Sequence, residues 1–91
     1  MAVRVNFQEV LIYLVNGQKF LICESGRIKD IIDEIAGKYP IFREKVFDKS
    51  GNLKSYLSIF IGNKNINKLS GIDTVVKDNQ IIKLYIAIFG G

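Results

Sequence analysis

The residues best suited to chemistry stand at the end of the sequence, where Phe89 is followed by Gly90 and Gly91. Glycine lacks a Cβ and adopts nearly any backbone conformation, so two in a row make a thin, pliable thread. Such a thread can enter a narrow cleft in another protein and present the Gly91 carboxylate to a nucleotide there. A carboxylate is a poor electrophile. Once adenylated by ATP it accepts sulfur to become a thiocarboxylate, or an amine to become an amide. The catalyst in that chemistry is the partner enzyme. Two terminal glycines alone are a weak motif, because chain ends are often frayed and glycine-rich. Their weight depends on what delivers them.

Other chemistry is largely excluded by composition. The 91 residues contain no His, no Trp and one Cys. Without His, neither a Ser-His-Asp nor a Cys-His arrangement can be built. A structural zinc site needs about four Cys or His ligands. The lone Cys23 sits in an apolar segment, where a free Cys usually behaves as a small hydrophobe. It also forbids an internal disulfide, which fits a reducing compartment. No signal peptide is evident at the start, and no apolar run approaches the ~20 residues that span a bilayer. The expected location is the cytoplasm, with no membrane association. The formal net charge is +4. The basic residues are interleaved with acids along the chain rather than gathered in a patch, which argues against direct nucleic-acid binding. A basic surface can still steer the protein toward an acidic partner.

The elements that must position the glycines can be read from periodicity. Val3, Val5 and Phe7 alternate with polar residues, the mark of a half-buried strand. Residues 9–15 are apolar and ambiguous. Asn16-Gly17 is a turn signal, and residues 19–24 form a second strand, antiparallel to the first. Ile28, Ile31, Ile32 and Ile35 recur at i, i+3, i+4 and i+7, which predicts a helix over about 27–38 with Ser25 as N-cap. Pro40 prevents its continuation. Residues 41–46 can add a short helical turn. A third strand follows over 56–61, a short fourth beginning at Ile66, irregular chain over 69–76, and a last strand over 81–88. One domain spanning 1–91 is expected. The class is α+β, in the β-β-α-β-β-β order of a β-grasp: one mixed sheet covered by one main helix.

Alternation also assigns faces. With Ile82, Leu84, Ile86 and Ile88 inward, Tyr85, Ala87 and Phe89 point outward. With Leu57, Ile59 and Ile61 inward, Phe60 points outward. Phe60 and Tyr85 are therefore expected to share an exposed apolar patch for partner docking, with Ala87 beside it.

Four stretches carry a family resemblance. They are Tyr39-Pro40 with Arg43-Glu44 and Phe47-Asp48, the run Tyr56 to Asn63, Leu69 to Thr74 with Lys77-Asp78, and the Gly-Gly tail. Together they resemble the ubiquitin-like sulfur carriers: the small subunit of molybdopterin synthase (MoaD), the thiamine-pathway carrier ThiS, the ubiquitin-related modifier and the small archaeal modifier proteins. The resemblance implies a carrier or modifier and not an enzyme. It implies that Gly91 is adenylated by a ubiquitin-activating-type adenylyltransferase and then thiocarboxylated, with Gly90 and Phe89 forming the tail. ATP would be used by that enzyme, and the chain itself would bind no cofactor or metal. Further partners would be a molybdopterin synthase large subunit or lysines of target proteins. The tail departs from the typical MoaD approach, which carries two prolines and a small residue where Phe89 stands. Asn79-Gln80 likewise replaces a usual Gly-Asp turn. Sulfur donation to molybdopterin precursor or to tRNA, protein modification, and a purely non-covalent β-grasp interaction module all stay open.

Overall fold

The first strand, β1 (Ala2–Phe7), buries Val3, Val5 and Phe7 as its alternation requires. In the computed structural model, which describes residues 1–86, it pairs antiparallel with β2 (Phe20–Glu24). The link between them is longer than the Asn-Gly turn. A 3₁₀ helix, Glu9–Val15, tucks Leu11, Leu14 and Val15 into the core. It ends at Asn16 (φ 59°) and Gly17 (φ 80°), residue types that tolerate left-handed backbone. Residues 9–15, ambiguous by pattern, are thus helical, with their buried residues at i, i+3 and i+4.

The main helix α1 (Ile28–Lys38) has the predicted isoleucine stripe, with Ile28, Ile31, Ile32 and Ile35 each at most 1% exposed. Burying such side chains contributes about 1.5–3 kcal/mol apiece, so an Asp at Ile32 would break the core. The N-cap assignment is corrected. Arg27 occupies the N-cap, with no side-chain cap bond, and Ser25 lies upstream. The cause is tertiary. Gly26 and Arg27 form a short strand β3 (Gly26–Arg27), paired antiparallel with a distant strand that holds Val75 and Val76. This brings the Thr74 carbonyl to accept the Ile28 amide at 3.0 Å. A backbone oxygen thus serves the helix N-terminus where a Ser side chain was expected. After α1, Tyr39 is extended and Pro40 opens α2 (Pro40–Val46) at its first position, where its missing N–H does no harm. Phe42 and Val46 of α2 reach the core, and Phe42 meets Phe7 edge to face at 6.2 Å.

The remaining strands are β4 (Leu57–Ile61), β5 (Lys64–Asn65), β6 (Val75–Val76) and β7 (Ile81–Ile86). The five-stranded sheet runs β2-β1-β7-β4-β5, and β3-β6 forms a separate two-stranded piece. Among the described strands only β1 and β7 run parallel; the other pairs are antiparallel. The fourth strand starts earlier than expected, at Lys64. Ile66 instead heads a 3₁₀ turn, Ile66–Lys68, and is buried there. Residues 69–76 are not wholly irregular, since Val75–Val76 hold β3. One face of the sheet lies against α1, with Ile59, Ile82 and Leu84 at most 2% exposed. This is an α+β fold with a mixed sheet on one main helix, as expected. Nineteen apolar residues form the buried core of the described part, with no buried polar side chain among them. No helix among the described residues is long and apolar enough to cross a membrane.

Candidate docking face and the strand that leads to the tail

β7 is an inner strand, bonded to β1 on one side and β4 on the other. Its far end is held by a side chain. Strand β1 stops pairing after Phe7, opposite Leu84, and the Gln8 amide still donates to the Leu84 carbonyl at 3.0 Å. The backbone then turns into the 3₁₀ helix. The next ladder partner is supplied by Gln8 itself: its Oε1 accepts the Ile86 amide at 2.8 Å. Ile86 is the last described residue. Ala87, Phe89, Gly90 and Gly91, all expected at the site, lie outside the described residues, as does Ile88.

Phe60 and Tyr85 are both described. The register places Phe60 opposite Lys83 and Tyr85 opposite Ser58, so the two rings are diagonal neighbours on one face. Diagonal positions in a sheet are close enough for aromatic rings to touch. Their centroids are 5.7 Å apart at 85°, edge to face, the arrangement that ring quadrupoles favour. Tyr85 is 38% exposed and Phe60 is half-buried, on the side of the sheet away from α1.

The same face extends further than sequence reasoning took it. Ile22 and Phe20 on β2 are 58% and 43% exposed, and Ile81 on β7 is 39% exposed. The Arg4 guanidinium lies 4.0 Å over the Phe20 ring and donates to Asn6 Oδ1 at 2.9 Å. The signal for Phe20 and Ile22 was present, because both alternate with the more buried Leu21 and Cys23. No local signal marks Gln8, whose role arises from where β1 ends.

Cys23 is 5% exposed beneath α1. Its thiol is pushed up from 9.0 to about 12, first by burial, then by the nearby Glu34 carboxylate, with Lys38 acting in the opposite sense. A neutral, buried thiol is a poor nucleophile. Among the described residues no group of three or more His, Cys, Asp or Glu side chains is arranged to hold a metal ion. A depression of about 210 Å³ between α1 and residues 47–53 is lined by Ile32, Phe47, Leu53 and Ile72. Its charged neighbours, Lys29 and Asp33, do not make an acid–base pair with a nucleophile.

Solved structures decide the fold. The solution structure of small archaeal modifier protein 1 from Methanosarcina acetivorans matches with a TM-score of 0.87 and 25% identity, over 99% of this chain and 96% of that one. The chain has the ubiquitin-like fold. A chain of the Amycolatopsis orientalis BexX/CysO complex shares it with a TM-score of 0.85 and 20% identity, over 99% and 100%. So does the protein described as molybdopterin converting factor subunit 1 from Pyrococcus furiosus, with a TM-score of 0.74 and 20% identity, over 97% and 99%. No protein-family model and no curated relative matches the chain. Among these neighbours are a small archaeal modifier protein and a molybdopterin converting factor subunit, two of the kinds of protein that the four sequence stretches resemble. In the ubiquitin-like frame β7 is the strand that leads toward Gly90-Gly91, and the face bearing Phe60 and Tyr85 adjoins its end.

Proposed function

We propose that this chain is a ubiquitin-like sulfur carrier whose Gly91 carboxylate is the working group. The observation that carries the reading is the placement of β7. The strand that precedes the glycines is an inner strand, bonded on both sides and held at Ile86 by Gln8. Five residues follow Ile86 in the sequence. Fully extended, five residues reach at most about 18 Å, enough to thread a cleft while the folded part docks outside it.

In the proposed reaction a ubiquitin-activating-type adenylyltransferase binds ATP and the Gly91 carboxylate. The carboxylate oxygen attacks the α-phosphate, an acyl adenylate forms and pyrophosphate leaves. Hydrosulfide-level sulfur from a donor then attacks the acyl carbon and AMP leaves, giving the thiocarboxylate. Its sulfur attacks an acceptor such as molybdopterin precursor or a tRNA base, and water cleaves the resulting thioester to restore the Gly91 carboxylate. This chain supplies no acid or base. It supplies position, by docking through the sheet face around Phe60 and Tyr85, with Ala87 next to it and Phe89-Gly90 as the approach. Positioning of that kind turns a bimolecular encounter into an effectively intramolecular one. Activity in the cytoplasm belongs to the same reading.

The likeness to a small archaeal modifier protein favours a second reading, in which the adenylated Gly91 is passed to lysines of target proteins as an amide. Both readings share the activation step. Intact-mass spectrometry after incubation with the activating enzyme of the same organism, ATP and a sulfur donor tests the first. Exchange of O for S adds about 16 Da, and finding only the unmodified acid would sink it. Branched Gly-Gly remnants on lysines of cellular proteins would support the second. A chain lacking Gly91 loses activity under both readings, whereas a non-covalent interaction module would keep it.

A further inference from the structure

The register across the outer sheet face sets two rows. One reads Ile22, Arg4, Ile81 across β2, β1 and β7. The other reads Phe20, Asn6, Lys83, Phe60 across β2, β1, β7 and β4. The two cations thus sit on the inner strands, Arg4 between Ile22 and Ile81, and Lys83 between Asn6 and Phe60. Three ion pairs occur among the described residues: Met1–Glu24, Lys29–Asp73 and Lys38–Glu34. Neither Arg4 nor Lys83 is in one. Glu24, the only carboxylate on these β1, β2 and β7 positions, stands at the corner opposite Ala2 and takes the N-terminal ammonium at 3.2 Å.

A partner that covers Ile22, Ile81, Phe60 and Tyr85 must cover Arg4 and Lys83 as well. Removing a cation from water without a counter-charge opposes binding strongly. Interior positions on an interface make this worse than rim positions, where water still screens the charge. Resting on the carrier reading above, we infer that the surface of the activating enzyme that receives this face carries carboxylates registered against Arg4 and Lys83, within an otherwise apolar seat. The net charge of +4 adds attraction at longer range. A single-stranded nucleic acid is the less fitting occupant. It would need flat aromatic platforms for stacked bases. Here Arg4 already lies on the Phe20 ring, and Phe60 and Tyr85 meet edge to face.

The test is calorimetric titration of the full chain into the adenylyltransferase of the same organism, at 50 and 300 mM NaCl. Arg4→Glu and Lys83→Glu should each weaken binding about tenfold or more. The wild-type affinity should fall with salt, and the double variant should lose that dependence. Arg4→Ala and Lys83→Gln serve as milder variants if reversal disturbs folding by circular dichroism. Affinity indifferent to all four substitutions, or no binding to the enzyme, would overturn the inference. So would charge-dependent, micromolar binding of a fluorescein-labelled single-stranded RNA in place of the enzyme. ATP–pyrophosphate exchange separates the two levels. Charge-dependent binding without exchange defeats the carrier reading and upholds the docking inference. Exchange with charge-independent binding does the reverse.

Discussion

The Gln8 side chain accepts the backbone amide of Ile86 across 78 positions of sequence, at 2.8 Å. It continues a parallel ladder that the β1 backbone has already left. Replacing it with Ala leaves the Ile86 amide without its partner, a loss on the order of 1 kcal/mol. Amide exchange measured by NMR should accelerate at Ile86 while Ile82 and Leu84 keep their protection. Equal acceleration along all of β7 would mean that the side chain stabilises the whole sheet rather than the strand end.

Phe60 and Tyr85 should matter more for binding than for folding. Their edge-to-face contact is worth about 0.5–1.5 kcal/mol beyond burial, and both rings keep access to water. The double alanine variant should weaken binding to the activating enzyme and lower stability in urea by only about 1–2 kcal/mol. A loss of about 3–5 kcal/mol, as for fully buried rings, would remove the docking assignment.

Cys23 predicts a pH dependence. Its thiol ionises at about 12 in the folded chain against 9.0 ordinarily. Between those values the unfolded chain has released the proton and the folded chain retains it. The contribution is therefore fully present below pH 9 and lost as pH rises toward 12. Cys23→Ala should flatten the decline in thermal stability above pH 9 relative to wild type. At pH 8 the native thiol should react with a disulfide reagent far more slowly than in denaturant. Matching rates would show that the thiol is accessible.

Asn79 occupies left-handed backbone, φ 69°, at the turn into β7, and its amide donates to the Ala2 carbonyl at 3.1 Å. Asn79→Gly should therefore be tolerated or mildly stabilising, and Asn79→Val should cost about 1–2 kcal/mol. Urea denaturation of the pair decides it. Equal stability of the two would mean that the turn relaxes to another conformation.

Much of the fold was legible because its pattern is local. The isoleucine stripe of α1, the alternation in β1 and β7 and the stop at Pro40 each state a period or a steric limit within a few residues. What failed was set by distance. Ser25 has the right chemistry for an N-cap, but Gly26-Arg27 are drawn into pairing with Val75-Val76, and Thr74 takes over the cap. Nothing near Ser25 encodes that. Ile66 looked like a strand start because it is apolar, yet its burial comes from a 3₁₀ turn. At the site, alternation sufficed to bring Phe60 and Tyr85 to one face. Their contact depended on the β4–β7 register, and the placing of Arg4 and Lys83 beside apolar residues depended on strand order. Neither can be read from one strand alone.

The parallel pairing of β1 with β7 also has a mechanical consequence. A pull on the C-terminal end is transmitted along β7, whose hydrogen bonds to β1 and β4 lie across the direction of load. Those bonds share the force in shear, instead of opening one after another like a zipper. A machine hauling this chain by its tail would meet its highest resistance in the first few ångströms of travel.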